Sequence, residues 1–162
     1  MKIHVCLTPA EVAAADVNGA AVAVIDVLRA TSTIVEALAN GAKAVLPVAT
    51  PEEATSLLQR LDSEDVLRCG ERRGARIEGF DLGNSPQEFT ADRVGGKLLA
   101  MTTTNGTPAL LAAAGARRVV VASFLNLRAV TDALAGEERV VLLCAGREGS
   151  FALEDGLCAG TL

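Results

Sequence analysis

The stretch Ala21-Val-Ala-Val-Ile-Asp26-Val-Leu-Arg29-Ala-Thr31-Ser32-Thr33 decides how the chain is organised. An unbroken Ala/Val/Ile run reads as a strand buried on both faces, as in a parallel sheet covered by helices. It ends at a carboxylate, and an arginine and three hydroxyls follow where a helix begins. Residues leaving the carboxyl end of such a strand line the crevice in which open α/β sheets bind ligands. Asp26 and Arg29 are therefore candidate catalytic residues and Thr31 a candidate substrate contact, with the N–H groups of the next helix helping to hold an anion. Taken alone, the segment reads equally well as a capping aspartate beside a surface arginine.

A second segment shares the design: Lys97-Leu-Leu-Ala-Met-Thr102-Thr103-Thr104-Asn105-Gly106-Thr107-Pro108, followed by an apolar helical run. Thr107 can cap that helix, Pro108 fits its first position, and Asn105-Gly106 permits the tight turn before it. Thr103, Thr104, Asn105, Gly106 and Thr107 are accordingly candidate phosphate contacts. No Gly-Lys-Ser/Thr follows, so this is not a Walker loop. Threonines are also ordinary strand formers.

Further strands are expected at 3–7, 44–48, 66–69, 119–122 and 140–144, with helices between most of them. Thr8-Pro9, Thr50-Pro51 and Ser85-Pro86, each with a glutamate at the third helical position (Glu11, Glu53, Glu88), mark helix starts. The alternation predicts an α/β fold, a three-layer α/β/α sandwich with a largely parallel sheet. Between Arg68 and Ser85 the rhythm breaks into a glycine-punctuated loop carrying Arg68, Arg72, Arg73 and Arg76. Such a loop focuses positive potential and can attract a multiply anionic substrate, or it is simply solvated surface. Asp81, Asn84 and Ser85 add oxygens for a metal or phosphate.

Near the end, Val140 to Cys144 repeats the pattern of a strand opening into a polar loop, with Arg147 next and Glu154-Asp155 soon after. Asp26, Glu154 and Asp155 are candidate ligands for Mg²⁺, a hard cation that prefers oxygen. Arg72 and Arg147 are candidates for binding a carboxylate or sulfonate through paired hydrogen bonds. Cys144 is a minor candidate nucleophile if Arg147 lowers its pKa.

Composition narrows the classes. At 162 residues and 50% hydrophobic, the chain can build one domain with a substantial core. A net charge of −5, with 2% aromatic residues and neither Trp nor Tyr, argues against nucleic acid as a partner. No apolar run approaches the roughly 20 residues that cross a bilayer, and the start does not read as a signal peptide, so no membrane partner and a cytoplasmic location are expected. Cys6, Cys69, Cys144 and Cys158 lack metal-site spacing, and His4 is the one histidine, which excludes a Ser/His/Asp triad within the chain.

With these motifs assembled, the chain resembles the 2-phosphosulfolactate phosphatase (ComB-like) family of coenzyme M biosynthesis. The resemblance runs nearly the whole length, through Ile25–Thr33, Gly70-Glu71-Arg72, Gly79–Pro86, Thr102–Thr107, Ser123–Asn126, Cys144-Ala-Gly146, Leu153-Glu-Asp155 and Cys158-Ala-Gly160. It implies a magnesium-dependent phosphatase that removes phosphate from a three-carbon acid bearing a sulfonate. It also implies a single phosphatase-like domain over 1–162 that lacks the family's C-terminal part, leaving apolar surface through which copies could associate as a homo-oligomer. Water, Asp26 and Cys144 stay open as the attacking group. Two rivals remain: a module that binds a small phosphorylated or sulfonated acid without hydrolysing it, and hydrolysis of another phosphomonoester.

Overall fold

A computed structural model describes residues 1–13, 17–61 and 65–162. In chain order its strands are β1 (Lys2–Cys6), β2 (Ala21–Ile25), β3 (Ala44–Pro47), β4 (Val66–Arg72), β5 (Ala75–Arg76), β6 (Leu98–Thr102), β7 (Arg118–Ala122) and β8 (Arg139–Cys144). The helices are α1 (Ala30–Ala39), α2 (Pro51–Leu61), α3 (Ala91–Val94), α4 (Gly106–Ala112), α5 (Leu127–Leu134) and α6 (Leu153–Thr161). The fold is mixed α/β with mostly parallel pairing, consistent with the expected three-layer sandwich. Among the described residues the strands divide into two four-stranded sheets, ordered β1-β8-β2-β7 and β3-β6-β4-β5. Only the short β4–β5 pair is antiparallel.

The apolar run 21–25 is an inner strand of the first sheet, fully buried along its length. Its side chains alternate between two cores, as the period of a strand requires. Ala21, Ala23 and Ile25 face one core with Val130 and Leu134 of α5 and Cys158 and Ala159 of α6, while Val22 and Val24 face the other with Ala109 and Ala113. In the second sheet Leu99 and Met101 of β6 join Ile34 and Ala37 of α1, whereas Ala100 meets Ala54 of α2. Val121 of β7 packs on the α1 side as well, so that core connects the two sheets.

Register places the functional edge. Ile25 lies opposite both Cys144 and Ala122, so β2, β7 and β8 end together, and Gly70 lies opposite Thr102 in the other sheet. Two expectations change in detail. Only one 3₁₀ turn follows Thr8 (Pro9–Glu11) and Ser85 (Pro86–Glu88), because the backbone is already extended at Val12 and leaves helical geometry at Phe89. The strand expected at 66–69 continues to Arg72, because the glycine-rich segment folds back as a hairpin onto β5 and supplies a partner for the extra residues.

Thr31 fastens this edge. Its Oγ1 accepts the Asp26 N–H (2.9 Å) and lies within donating distance of two carbonyls, Asp26 O (2.8 Å) and Ala122 O (2.7 Å), entirely out of contact with solvent. Thr31→Val keeps the shape and strands buried backbone groups, which costs about 1–3 kcal/mol. Urea unfolding should show that loss with an unchanged m-value, and an unchanged midpoint would remove Thr31 from this role.

Candidate active site

The carboxyl ends of the two sheets converge on one pocket of about 450 Å³. Acids line it: Asp26 just beyond β2, Glu71 on β4, Glu148 after β8, and Glu154 and Asp155 in the first turn of α6. Arg29, Arg73 and Arg147 also line it, together with Thr104, Asn105 and Asn84.

Each buried acid is held differently. Asp155 accepts the Val27 N–H (2.8 Å) on Oδ1 and the Gly146 N–H (3.1 Å) on Oδ2. Glu71 accepts the Thr104 N–H (2.7 Å), the Gly74 N–H (2.7 Å) and the Thr104 hydroxyl (3.2 Å). Asp26 accepts the Ala30 N–H on Oδ1 (3.1 Å), capping the first turn of α1. Its Oδ2 lies against Gly106, where a Cβ would come within 2.6 Å of it, so α4 can start this close only with glycine. The capping and site readings of Asp26 therefore hold together, one oxygen for each.

Burial, then the charge of Asp155, pushes the Asp26 carboxyl up to about 7, with Glu71 adding to the effect. Burial also raises Asp155 despite its two N–H donors. Asn84 adds a further polar group without compensation: it is 5% exposed, and its Oδ1 finds no hydrogen-bond partner.

Of the residues singled out from sequence, Asp26, Arg29, Thr104, Asn105, Arg147, Glu154 and Asp155 line this pocket. Thr31, Thr103 and Thr107 are buried in the framework beneath it. Thr103 and Thr107 exchange bonds, each hydroxyl accepting the other's N–H (2.8 and 3.0 Å). Gly106 packs against Asp26. Arg72 lies outside the lining and donates instead to its neighbour's carbonyl, Glu71 O (2.8 Å), and to Thr102 Oγ1 (2.9 Å). The Cys144 thiol is fully buried in the first sheet and pushed up to about 12, first by burial and then by Asp155, so it is protonated at neutral pH. Asp81 accepts the Arg68 N–H (2.8 Å) and does not line the pocket. Among the described residues no group of three or more His, Cys, Asp or Glu side chains is set as a metal-holding cluster.

Sequence reasoning missed Glu71, Arg73 and Glu148. Arg73-Gly74 and Glu148-Gly149 are the central pairs of two hairpins, both residues of each pair having positive φ (52° and 83°; 50° and 78°). That is the backbone of a type I′ turn, in which Asn-Gly is usual and a longer side chain in the first place costs roughly 1–2 kcal/mol. Both tips are tied to the same turn: Arg73 N–H reaches Thr104 Oγ1 at 3.4 Å, and Glu148 N–H donates to Asn105 Oδ1 at 2.9 Å.

A family model described as 2-phosphosulpholactate phosphatase matches residues 6–162, and the chain belongs to that family. It is similar to proteins named probable 2-phosphosulfolactate phosphatase. The one from Thermotoga petrophila is 52% identical over 139 residues, 86% of this chain and 59% of the relative. That from Symbiobacterium thermophilum is 48% identical over 157 residues, 96% of this chain and 66% of the relative. That from Clostridium acetobutylicum is 43% identical over 161 residues, 99% of this chain and 68% of the relative. The chain thus spans about three fifths of the length of the first of these relatives. No described helix is long and apolar enough to cross a membrane.

The raised Asp26 pKa carries a sign for stability. The folded protein holds this proton more tightly than the unfolded chain, so stability is full below about pH 4 and declines as pH rises toward 7. Asp26→Asn, whose amide oxygen can still cap Ala30, should raise the melting temperature of metal-free protein at pH 8 by several degrees, at roughly 2–4 °C per kcal/mol. It should change it little at pH 4. An equal shift at both pH values would mean that the carboxylate's charge is not the cause.

Proposed function

We propose that this chain carries the catalytic site of a magnesium-dependent phosphatase acting on a small phosphomonoester, with 2-phosphosulfolactate as substrate and sulfolactate and phosphate as products. Family membership supports the reaction class, and the pocket supports the chemistry. The observation that carries it is the unpartnered Asn84 Oδ1, buried in a pocket whose Asp26 carboxyl is already destabilised as an anion, first by burial and then by Asp155. Oxygen donors left without hydrogen-bond partners beside an excess of carboxylate fit a small hard cation and fit little else. Asp26 and Asn84 would hold it, with Glu154 and Asp155 of the same lining adding negative charge rather than completing a cluster of three carboxylates. Bound there, Mg²⁺ supplies a positive centre that draws charge from the phosphoryl and leaving oxygens.

The rest falls to the chain's own residues. Arg29 is oriented by its bond to Gly74 O (3.2 Å) and keeps further N–H groups for a phosphate oxygen. Thr104 and Asn105 keep the turn in place, their side chains being engaged by Glu71 and by the Glu148 N–H. Arg147 faces the same space and adds positive charge for the phosphate. On this reading water is the attacking group, since the Asp26 Oδ2 would be turned to the cation and Cys144 is a buried thiol. The partner on this reading is a small anionic phosphorylated acid.

Phosphate release from 2-phosphosulfolactate tests the reading. It should require Mg²⁺, fall to background with excess chelator, and drop by about 100-fold or more in Asp26→Ala, with the circular dichroism spectrum retained. Release that ignores chelator would sink the metal; tight binding of the substrate without release would leave a binding module.

A further inference from the structure

Arg73 has an unusual combination of properties. It sits at the first central position of a type I′ hairpin, where its backbone is left-handed, and it lines the pocket. The tip that carries it is anchored to three other pocket residues. Glu71 takes the Gly74 N–H (2.7 Å), Arg29 donates to Gly74 O (3.2 Å), and Thr104 Oγ1 faces the Arg73 N–H (3.4 Å). The backbone is thus held, yet among the described residues the guanidinium itself makes no hydrogen bond or ion pair. A cationic fork kept in a disfavoured conformation, held by its main chain and unpaired at its end, is a group reserved for something that arrives from outside. Arg29, by contrast, has already committed one N–H to the hairpin.

We propose that Arg73 is the specificity-determining residue of this pocket: it selects phosphomonoesters whose carbon skeleton bears a second oxyanion, a carboxylate or sulfonate close to the phosphate. This rests on the phosphomonoester reading above and goes beyond it by assigning discrimination to one side chain. A ligand with a single phosphate engages Arg29 and Arg147 but leaves Arg73 unpaired. A ligand with a second oxyanion pairs it, and the paired hydrogen bonds it offers match the planar edge of a carboxylate or two oxygens of a sulfonate.

The test uses two probes that differ in one group, 2-phosphoglycerate and glycerol 2-phosphate, in which a hydroxymethyl replaces the carboxylate. Calorimetry in Mg²⁺ should show wild-type protein preferring 2-phosphoglycerate by about tenfold or more, the worth of a charge-assisted contact. In Arg73→Asn the ratio should fall to within about twofold of unity, and Arg73→Lys should keep part of it. Asparagine is the residue a type I′ turn prefers at this place, so Arg73→Asn should melt no lower than wild type and a folding defect does not confuse the result. A wild-type ratio near one, or a ratio preserved in Arg73→Asn, overturns the proposal. If the preference and its loss are seen but neither probe nor 2-phosphosulfolactate releases phosphate, hydrolysis fails as the function while the assignment of Arg73 stands. If neither probe binds, both fail.

Discussion

The Asp155 carboxylate is the constraint on which the site depends. Its two oxygens take N–H groups from Val27, one step beyond Asp26, and from Gly146, two residues beyond β8. One side chain from the first turn of α6 therefore ties together the exits of two neighbouring strands that end in register. It does so at a cost, because its charge stands close enough to Asp26 to raise that carboxyl. A neutral amide could not take both N–H groups, because its nitrogen is itself a donor, so the tie calls for a carboxylate. A second buried carboxylate beside the first makes physical sense where the pair is to face positive charge.

The pocket is therefore electrostatically divided. Glu71 and Asp155 accept backbone N–H groups on both oxygens, whereas the bond seen at Asp26 goes to Oδ1 and Asn84 Oδ1 has none. Three arginines share the same space, and among the described residues none of them forms an ion pair: those that form involve Arg68, Lys97, Arg117, Arg118 and Arg128 instead. Opposite charges that face one cavity and do not neutralise each other are what a site needs to hold a cation and an anion side by side. On the proposed reading the same arrangement would offset the repulsion between a polyanionic ester and the carboxylates.

How much of this could be read from the chain varies with the kind of signal. Asp26 was legible because an apolar run that stops abruptly at an acid marks a strand end, where parallel sheets take ligands, and Asp155 because it stands in an acidic pair soon after a strand opens into a polar loop. The sandwich was legible because helix and strand periods alternate, though the division into two sheets was not, since pairing order leaves no local trace. Glu71 and Arg73 were hidden in a segment whose glycines and arginines read as a solvated loop, when it is the end of β4 and a hairpin. An Asn-Gly or Asp-Gly pair would have announced that turn, whereas Arg-Gly and Glu-Gly do not. The threonine cluster misled in the other direction. Its residue types suggested a cradle of hydroxyls, but hydroxyls serve whichever partner the fold brings nearest, and Thr102, Thr103 and Thr107 spend theirs inside.

That expenditure explains why the turn is so polar and yet contributes few side chains to the pocket. Thr103 and Thr107 close the start of α4 on itself, Thr104 is held by Glu71, and Asn105 receives the Glu148 N–H, so the segment joins the hairpin of one sheet to the loop that follows β8 of the other. Arg73 and Glu148 occupy equivalent strained positions on the two hairpins it joins, with opposite charges. Two turns that both carry a long charged residue where asparagine is favoured, and that lean on adjacent side chains, Thr104 and Asn105, are not accounted for by folding stability, which asparagine would raise at each. What they share is the cavity between them, and it is the chemistry of that cavity that the strain serves.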